Sequence, residues 1–145
     1  MNINDLIKKA HQNAVEHGWW KEPKSMGELL MLIVSEASEA LEEHRNGKKP
    51  TETYYSQKSK FEPITDKDLV IEEIVYTSKR GAMITSPGGK IYLPNKPEGI
   101  PSELADVVIR VLDICGWYGI DLEEAIKEKM EYNASRSYKH GNKVL

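Results

Sequence analysis

Residues 27–45, GELLMLIVSEASEALEEHR, decide the fold. Apolar side chains recur at three- and four-residue spacing through the stretch, which is the period of an α-helix and not of a strand. Ser25 and Glu28 stand where a capping box would open this helix, each satisfying the other's free backbone donor. Asn46-Gly47 supplies a left-handed stop after Arg45. The apolar residues cover well over half the circumference, so this helix needs neighbours on several sides, more than a small monomeric bundle offers. Along one stripe, after Leu29 and Leu32, come Glu36, Glu39 and Glu43. Carboxylates on a core-facing stripe are costly to bury and need partners.

A second segment repeats the pattern. In residues 102–119, SELADVVIRVLDICGWYG, the acids Glu103 and Asp106 share a stripe with Arg110, Ile114 and Trp117. A helix turns about 100° per residue, so acids three apart project from one face. Spacing alone is weak: with 23 acidic residues in 145, chance supplies about three or four such pairs, and Glu39/Glu42 and Glu128/Glu131 also fit. Stripe position separates the two pairs from these, since Glu42 and Arg45 fall on the opposite, solvated side. Two such helices packed together would gather four carboxylates, an arrangement stable around hard divalent cations such as Mg²⁺, with Mn²⁺ a substitute. The alternative is ordinary surface acids on amphipathic helices.

Composition limits the possibilities. The chain has one domain's length, 39% hydrophobic and 30% charged residues, as soluble globular proteins do. A net charge of −3 gives no footprint for a nucleic-acid backbone. The single Cys115 cannot form an internal disulfide. The opening MNINDLIKKAHQ lacks a secretory apolar region, and the longest apolar run, Leu29 to Val34, is too short to span a bilayer. The expectation is a cytoplasmic protein with neither a nucleic-acid nor a membrane partner.

Around the acid-bearing helices, Ile3, Leu6, Ile7, Ala10, Ala14 and Val15 predict a first helix ended by His17-Gly18. Asp121-x-x-Glu124 caps a last helix through Leu122, Ala125, Ile126 and Met130, fading near Ser137 into a basic tail. Ser102 is the expected start of the third helix, and Cys115 to Gly119 its expected break. Between the second and third helices, from Lys48 to Pro101, prolines punctuate the chain and helical periodicity disappears. Within that insertion Leu69 to Thr77, Ala82 to Thr85 and Lys90 to Leu93 predict a small β-hairpin or three-stranded meander, with a turn at Ser86-Pro87-Gly88-Gly89. The preceding KKPTETYYSQKSKF is expected to be a loop. The predicted architecture is therefore all-α: about four helices forming one domain over residues 1–145, with an insertion at about 48–101, completed by oligomerisation.

Divalent cations held by carboxylates keep coordination positions open for substrate phosphates, polarise a phosphoryl oxygen and make hydroxide available at neutral pH. A glutamate not fully engaged can take the attacking water's proton; Glu39 is the first candidate. Phosphates also need protein cations. Lys129, Asn133 and Arg136 share one stripe of the last helix, and Arg110 lies one turn after Asp106. The alternatives are a solvated terminal turn and an ion pair between Arg110 and Glu103, Asp106 or Asp113. Trp19, Trp20 and Trp117 are candidates to stack on a nucleobase, or plain core. No His follows a Glu by three residues, which argues against the di-iron bundle signature.

The run SEASEALEE, then ELADVVIRVLD, then DLEEAIKEKMEYNASRSYKHG strongly resembles the MazG-like nucleotide pyrophosphohydrolases, an all-α superfamily. The likeness covers roughly residues 1–46 and 98–141. It implies Mg²⁺-dependent hydrolysis of a nucleoside or deoxynucleoside triphosphate to the monophosphate and pyrophosphate, in nucleotide pool cleaning. It further implies Glu36, Glu39, Glu103 and Asp106 as metal ligands and Lys129, Asn133 and Arg136 as nucleotide contacts; Glu39, with Glu36, is the expected catalytic group. Arg110 and Trp20 complete the expected substrate-binding set, in a homodimer or homotetramer. Two departures stand out: Ser35 where many members place a further glutamate, and the long insertion, where the family has a short connection. Tyr54 and Tyr55, at the insertion's start, are candidates to reach the base. Competing readings are a non-catalytic helical metal-binding or interaction module, and a pyrophosphohydrolase of another phosphorylated nucleotide metabolite.

Overall fold

Helices begin and end here where side chains or a left-handed residue can satisfy free backbone groups. The computed structural model describes residues 2–56, 73–78, 81–86 and 89–136. Among these, four helices dominate: α1 (Ile3–Glu16), α2 (Met26–Arg45), α3 (Ile100–Tyr118) and α4 (Leu122–Ser135). Asn2 and Asp5 form a capping box on α1. Ser25 and Glu28 form the expected one on α2, with the Ser25 amide donating to Glu28 Oε2 (2.7 Å) and the Glu28 amide to Ser25 Oγ (3.2 Å). At its other end Gly47 adopts φ 77°, and the Lys48 amide reaches back to the Glu43 carbonyl and the Gly47 amide to that of His44. Asp121 caps α4 through the Glu124 amide.

All five described strands lie between α2 and α3: β1 (Tyr54–Ser56), β2 (Glu73–Ser78), β3 (Gly81–Ser86), β4 (Gly89–Pro94) and β5 (Lys96–Glu98). The mainly helical character and the β excursion thus follow the sequence pattern. Strands β2, β3 and β4 make an antiparallel meander in that order, with a register irregularity between Val75 and Ser78. The expected first strand began at Leu69; residues 69–72, like the turn at 87–88 and the tail from 137, lie outside the described residues. One expectation is corrected. The segment read as a loop contributes β1, which pairs antiparallel with β5, bringing Tyr54 opposite Glu98 and Ser56 opposite Lys96.

Two compact units emerge, Met1–Ile33 with Val107–Leu145, and Val34–Asp106. In the first, Ile7, Leu112 and Cys115 are buried together, with Ile3, Leu6, Ala10, Val111 and Leu122 against them. The helix ends within the stretch expected to break it, Cys115 to Gly119: α3 runs to Tyr118, and Gly119 follows at φ 65°. Gly116 is required inside the helix because a Cβ there would lie 2.5 Å from the Cβ of His11. The close approach of α1 and α3 explains the glycine. Leu30, Met31, Val108 and Ile109 of this unit remain exposed, as do Val34, Leu41 and Leu104 of the other. No helix among the described residues is long and apolar enough to cross a membrane.

In the second unit α3 starts two residues before the expected Ser102. Gly99, at φ 102°, makes the entry; its carbonyl accepts from the Ser102 and Glu103 amides. A Cβ at Gly99 would stand 2.5 Å from the Glu52 carbonyl oxygen, so the chain passes too closely for any other residue. The Ser102 hydroxyl, instead of capping the helix, donates to the Pro97 carbonyl (3.0 Å) and ties β5 to the first turn of α3.

Candidate metal centre

Within the unit Val34–Asp106, α2 presents Glu36 and the first two turns of α3 present Glu103 and Asp106. One carboxylate oxygen from each of these three lies within 4.8 Å of the others. Glu36 and Glu103 are buried, with 9% and 3% of their surface exposed. Burial pushes the Glu103 carboxyl above its ordinary value, and the charges of Glu39, Asp106 and Glu98 push the same way against the opposing pull of Lys96. A hard cation with oxygen ligands at about 2.1 Å holds them no more than roughly 4.2 Å apart, so a small closing movement would bring this trio onto it. An all-carboxylate donor set suits Mg²⁺ or Mn²⁺ and not a thiolate- or imidazole-seeking metal.

Glu39, the fourth acid of the expected set, is exposed and outside the trio, yet its charge acts on Glu103. One turn further along α2, Glu43 Oε1 accepts the Tyr54 hydroxyl at 3.0 Å. Its other oxygen is buried with no hydrogen-bond partner among the described residues. The bond to Glu43 holds the Tyr54 phenol above its ordinary value. The Lys48 ammonium sits 4.0 Å from the centre of the Tyr54 ring. Tyr54 is therefore engaged with an acid of the α2 stripe and with a lysine.

The other sequence candidates belong to the first unit. Trp20 is committed: its indole N–H donates to Asp113 (2.9 Å to Oδ1), its ring stacks on Trp117 at 4.3 Å, and His11 Nδ1 lies 2.7 Å from the same Asp113 oxygen. Trp19 instead lines a recess of about 420 Å³ with Lys24, Glu28, Met31 and Leu32. The Arg110 guanidinium lies over the Trp19 ring at 4.4 Å. Lys129 and Asn133 lie on α4, but Arg136, expected on the same helical stripe, is its C-cap in extended conformation; all three are exposed, and the two cations lie 5.3 and 5.8 Å from the centre of the Tyr132 ring.

Sequence reasoning overlooked three arrangements: the part-buried His11–Asp113–Trp20 network, the Glu43–Tyr54 bond, and the pair formed by Lys96 and Glu98, whose lysine charge acts on Glu103. For the last a signal was available, since Lys96-Pro97-Glu98 immediately precedes the acid-bearing helix. The chain matches no protein-family model, no curated protein and no solved structure.

Proposed function

We propose that the protein is a Mg²⁺-dependent pyrophosphohydrolase that cleaves a nucleoside or deoxynucleoside triphosphate to the monophosphate and pyrophosphate. The observation that carries the reading is the convergence of Glu36, Glu103 and Asp106 from two helices onto one point within 4.8 Å. Buried like charges repel, and a divalent cation relieves that repulsion. When bound, the cation would supply Lewis acidity toward a phosphoryl oxygen. Glu36, Glu103 and Asp106 would hold it. Glu39, exposed and acting on Glu103 through its charge, would be the group that takes the proton of a water. The resemblance to the MazG-like enzymes supplies the reaction class, and it assigns Lys129, Asn133, Arg136 and Arg110 to the nucleotide.

The proposal includes a homo-oligomer. Exposed Leu30, Met31, Val108 and Ile109 in one unit, and Val34, Leu41 and Leu104 in the other, are the side chains a second copy would cover. The test is pyrophosphate release from a nucleotide panel in Mg²⁺. Wild type turns over at least one nucleotide, whereas Glu39→Gln and Asp106→Asn abolish turnover with an unchanged circular-dichroism spectrum. Wild type that binds Mg²⁺ and hydrolyses nothing would leave a metal-binding module in place of an enzyme. Full activity in either variant overturns the site assignment.

A further inference from the structure

The carboxylate trio accounts for a cation but not for the charge of a polyphosphate, which also needs donors from the protein. Within the same unit Arg45 is engaged by Glu42 at 2.7 Å, and Lys48 lies near Glu52 (3.8 Å) and over the Tyr54 ring. Lys96 stands differently. It opens β5 opposite Ser56, and its ammonium is 2.9 Å from Glu98 Oε2, two residues along the same strand face. The other Glu98 oxygen accepts the Ser56 hydroxyl at 2.9 Å, so the carboxylate that holds the lysine is itself held. The ribbon is tied down on both sides: Tyr54 bonds Glu43 of α2, and Ser102 of α3 bonds the Pro97 carbonyl. Lys96 is a cation whose charge acts on Glu103, and the hydrogen bond to Glu98, with the charges of Glu98, Glu103 and Glu39, holds the ammonium above its ordinary value against the cost of burial. Half of its side chain (52%) is exposed, against 18% for Glu98. The ammonium has three donors, and the ion pair with Glu98 uses one.

We infer that Lys96 is a phosphate-contacting residue of the metal centre, delivered by the β1–β5 ribbon of the insertion, with Glu98 as its positioning residue. The inference rests on the pyrophosphohydrolase reading and gives the insertion a role at the substrate's phosphate chain. It also predicts opposite signs for two affinities. A lysine beside the trio disfavours a bare cation and favours the phosphate that arrives with it.

The test uses the full chain as wild type, Lys96→Gln, Lys96→Arg and Glu98→Gln. Calorimetry measures Mn²⁺ alone, then inorganic tripolyphosphate in saturating Mn²⁺. Lys96→Gln should bind Mn²⁺ as tightly as wild type or a few fold more tightly, and bind tripolyphosphate roughly tenfold to a hundredfold more weakly. Lys96→Arg should retain tripolyphosphate binding, and Glu98→Gln, which leaves the ammonium in place but unheld, should lose less than Lys96→Gln. Parallel loss of both affinities in Lys96→Gln would make the lysine structural, and no change in either would make it a bystander ion pair; both results overturn the inference. Wild type that binds no Mn²⁺ overturns the metal centre itself, and the role of Lys96 with it.

Discussion

Replacing Glu103 by Gln removes one charge from the trio at nearly constant shape, and the effect on stability should change sign with the metal. Two unit charges 4.8 Å apart repel by about 0.9 kcal/mol in bulk water and about 3.5 kcal/mol at an effective dielectric constant near 20. Glu103 faces two such neighbours. The attraction to Lys96, lost in the same substitution, cancels part of the gain. The net expectation for Glu103→Gln without metal is a stabilisation on the order of 1 kcal/mol. For a chain of this length that raises Tm by about 3 °C. Mg²⁺ at a hundredfold excess over its Kd stabilises wild type by about 2.7 kcal/mol, or roughly 8 °C. The variant, with a ligand gone, should lose most of that response. Thermal melts in EDTA and in Mg²⁺ therefore cross: the variant melts higher in the first and lower in the second. A variant less stable than wild type in EDTA, or equally stabilised by Mg²⁺, would refute the claim that these carboxylates repel one another around a cation site.

Three more predictions follow from the same structure. Because the Glu103 carboxyl titrates above its ordinary value of 4.5, the folded state binds that proton more tightly than the unfolded chain; metal-free stability should rise as pH falls from neutral toward 4.5. Below that range the lowered Glu98 carboxyl acts oppositely and stability should fall again, so melts across mildly acidic pH in EDTA should show a maximum, which saturating Mg²⁺ removes. Gly116→Ala forces a Cβ into the His11 side chain and should cost about 1–3 kcal/mol, read as a Tm lower by several degrees. Asp113→Asn weakens the acceptor shared by His11 and Trp20 and should cost about 1–3 kcal/mol, with altered tryptophan fluorescence as the Trp20–Trp117 stack loosens.

Local signals carried the helical part of this fold. Ser25 with Glu28, Asn46-Gly47 and Asp121 mark helix ends because capping is chemistry between residues a few positions apart. The acid stripe was legible for the same reason, since Glu36 and the pair Glu103 and Asp106 follow helical period. What escaped is non-local. Tyr54–Ser56 becomes a strand only because Lys96–Glu98 lies beside it, and no three-residue window announces a partner that far along the chain. Gly116 reads as a helix breaker until His11 is seen against it. Trp19 and Trp20 are adjacent in sequence, yet only Asp113 and Trp117 determine which of them is committed.

The β1–β5 pairing has a consequence for how this chain can vary. Ser56 and Lys96 stand side by side, so everything between them leaves and re-enters through a single clasp. Closing a long loop whose ends are already pinned together adds little entropic cost per extra residue. Variants engineered with a longer, exchanged or trimmed excursion, even down to a tight two-residue turn, should therefore keep the β1–β5 pairing. The clasp thus fixes where the excursion departs and returns, at Ser56 and Lys96, whatever its length.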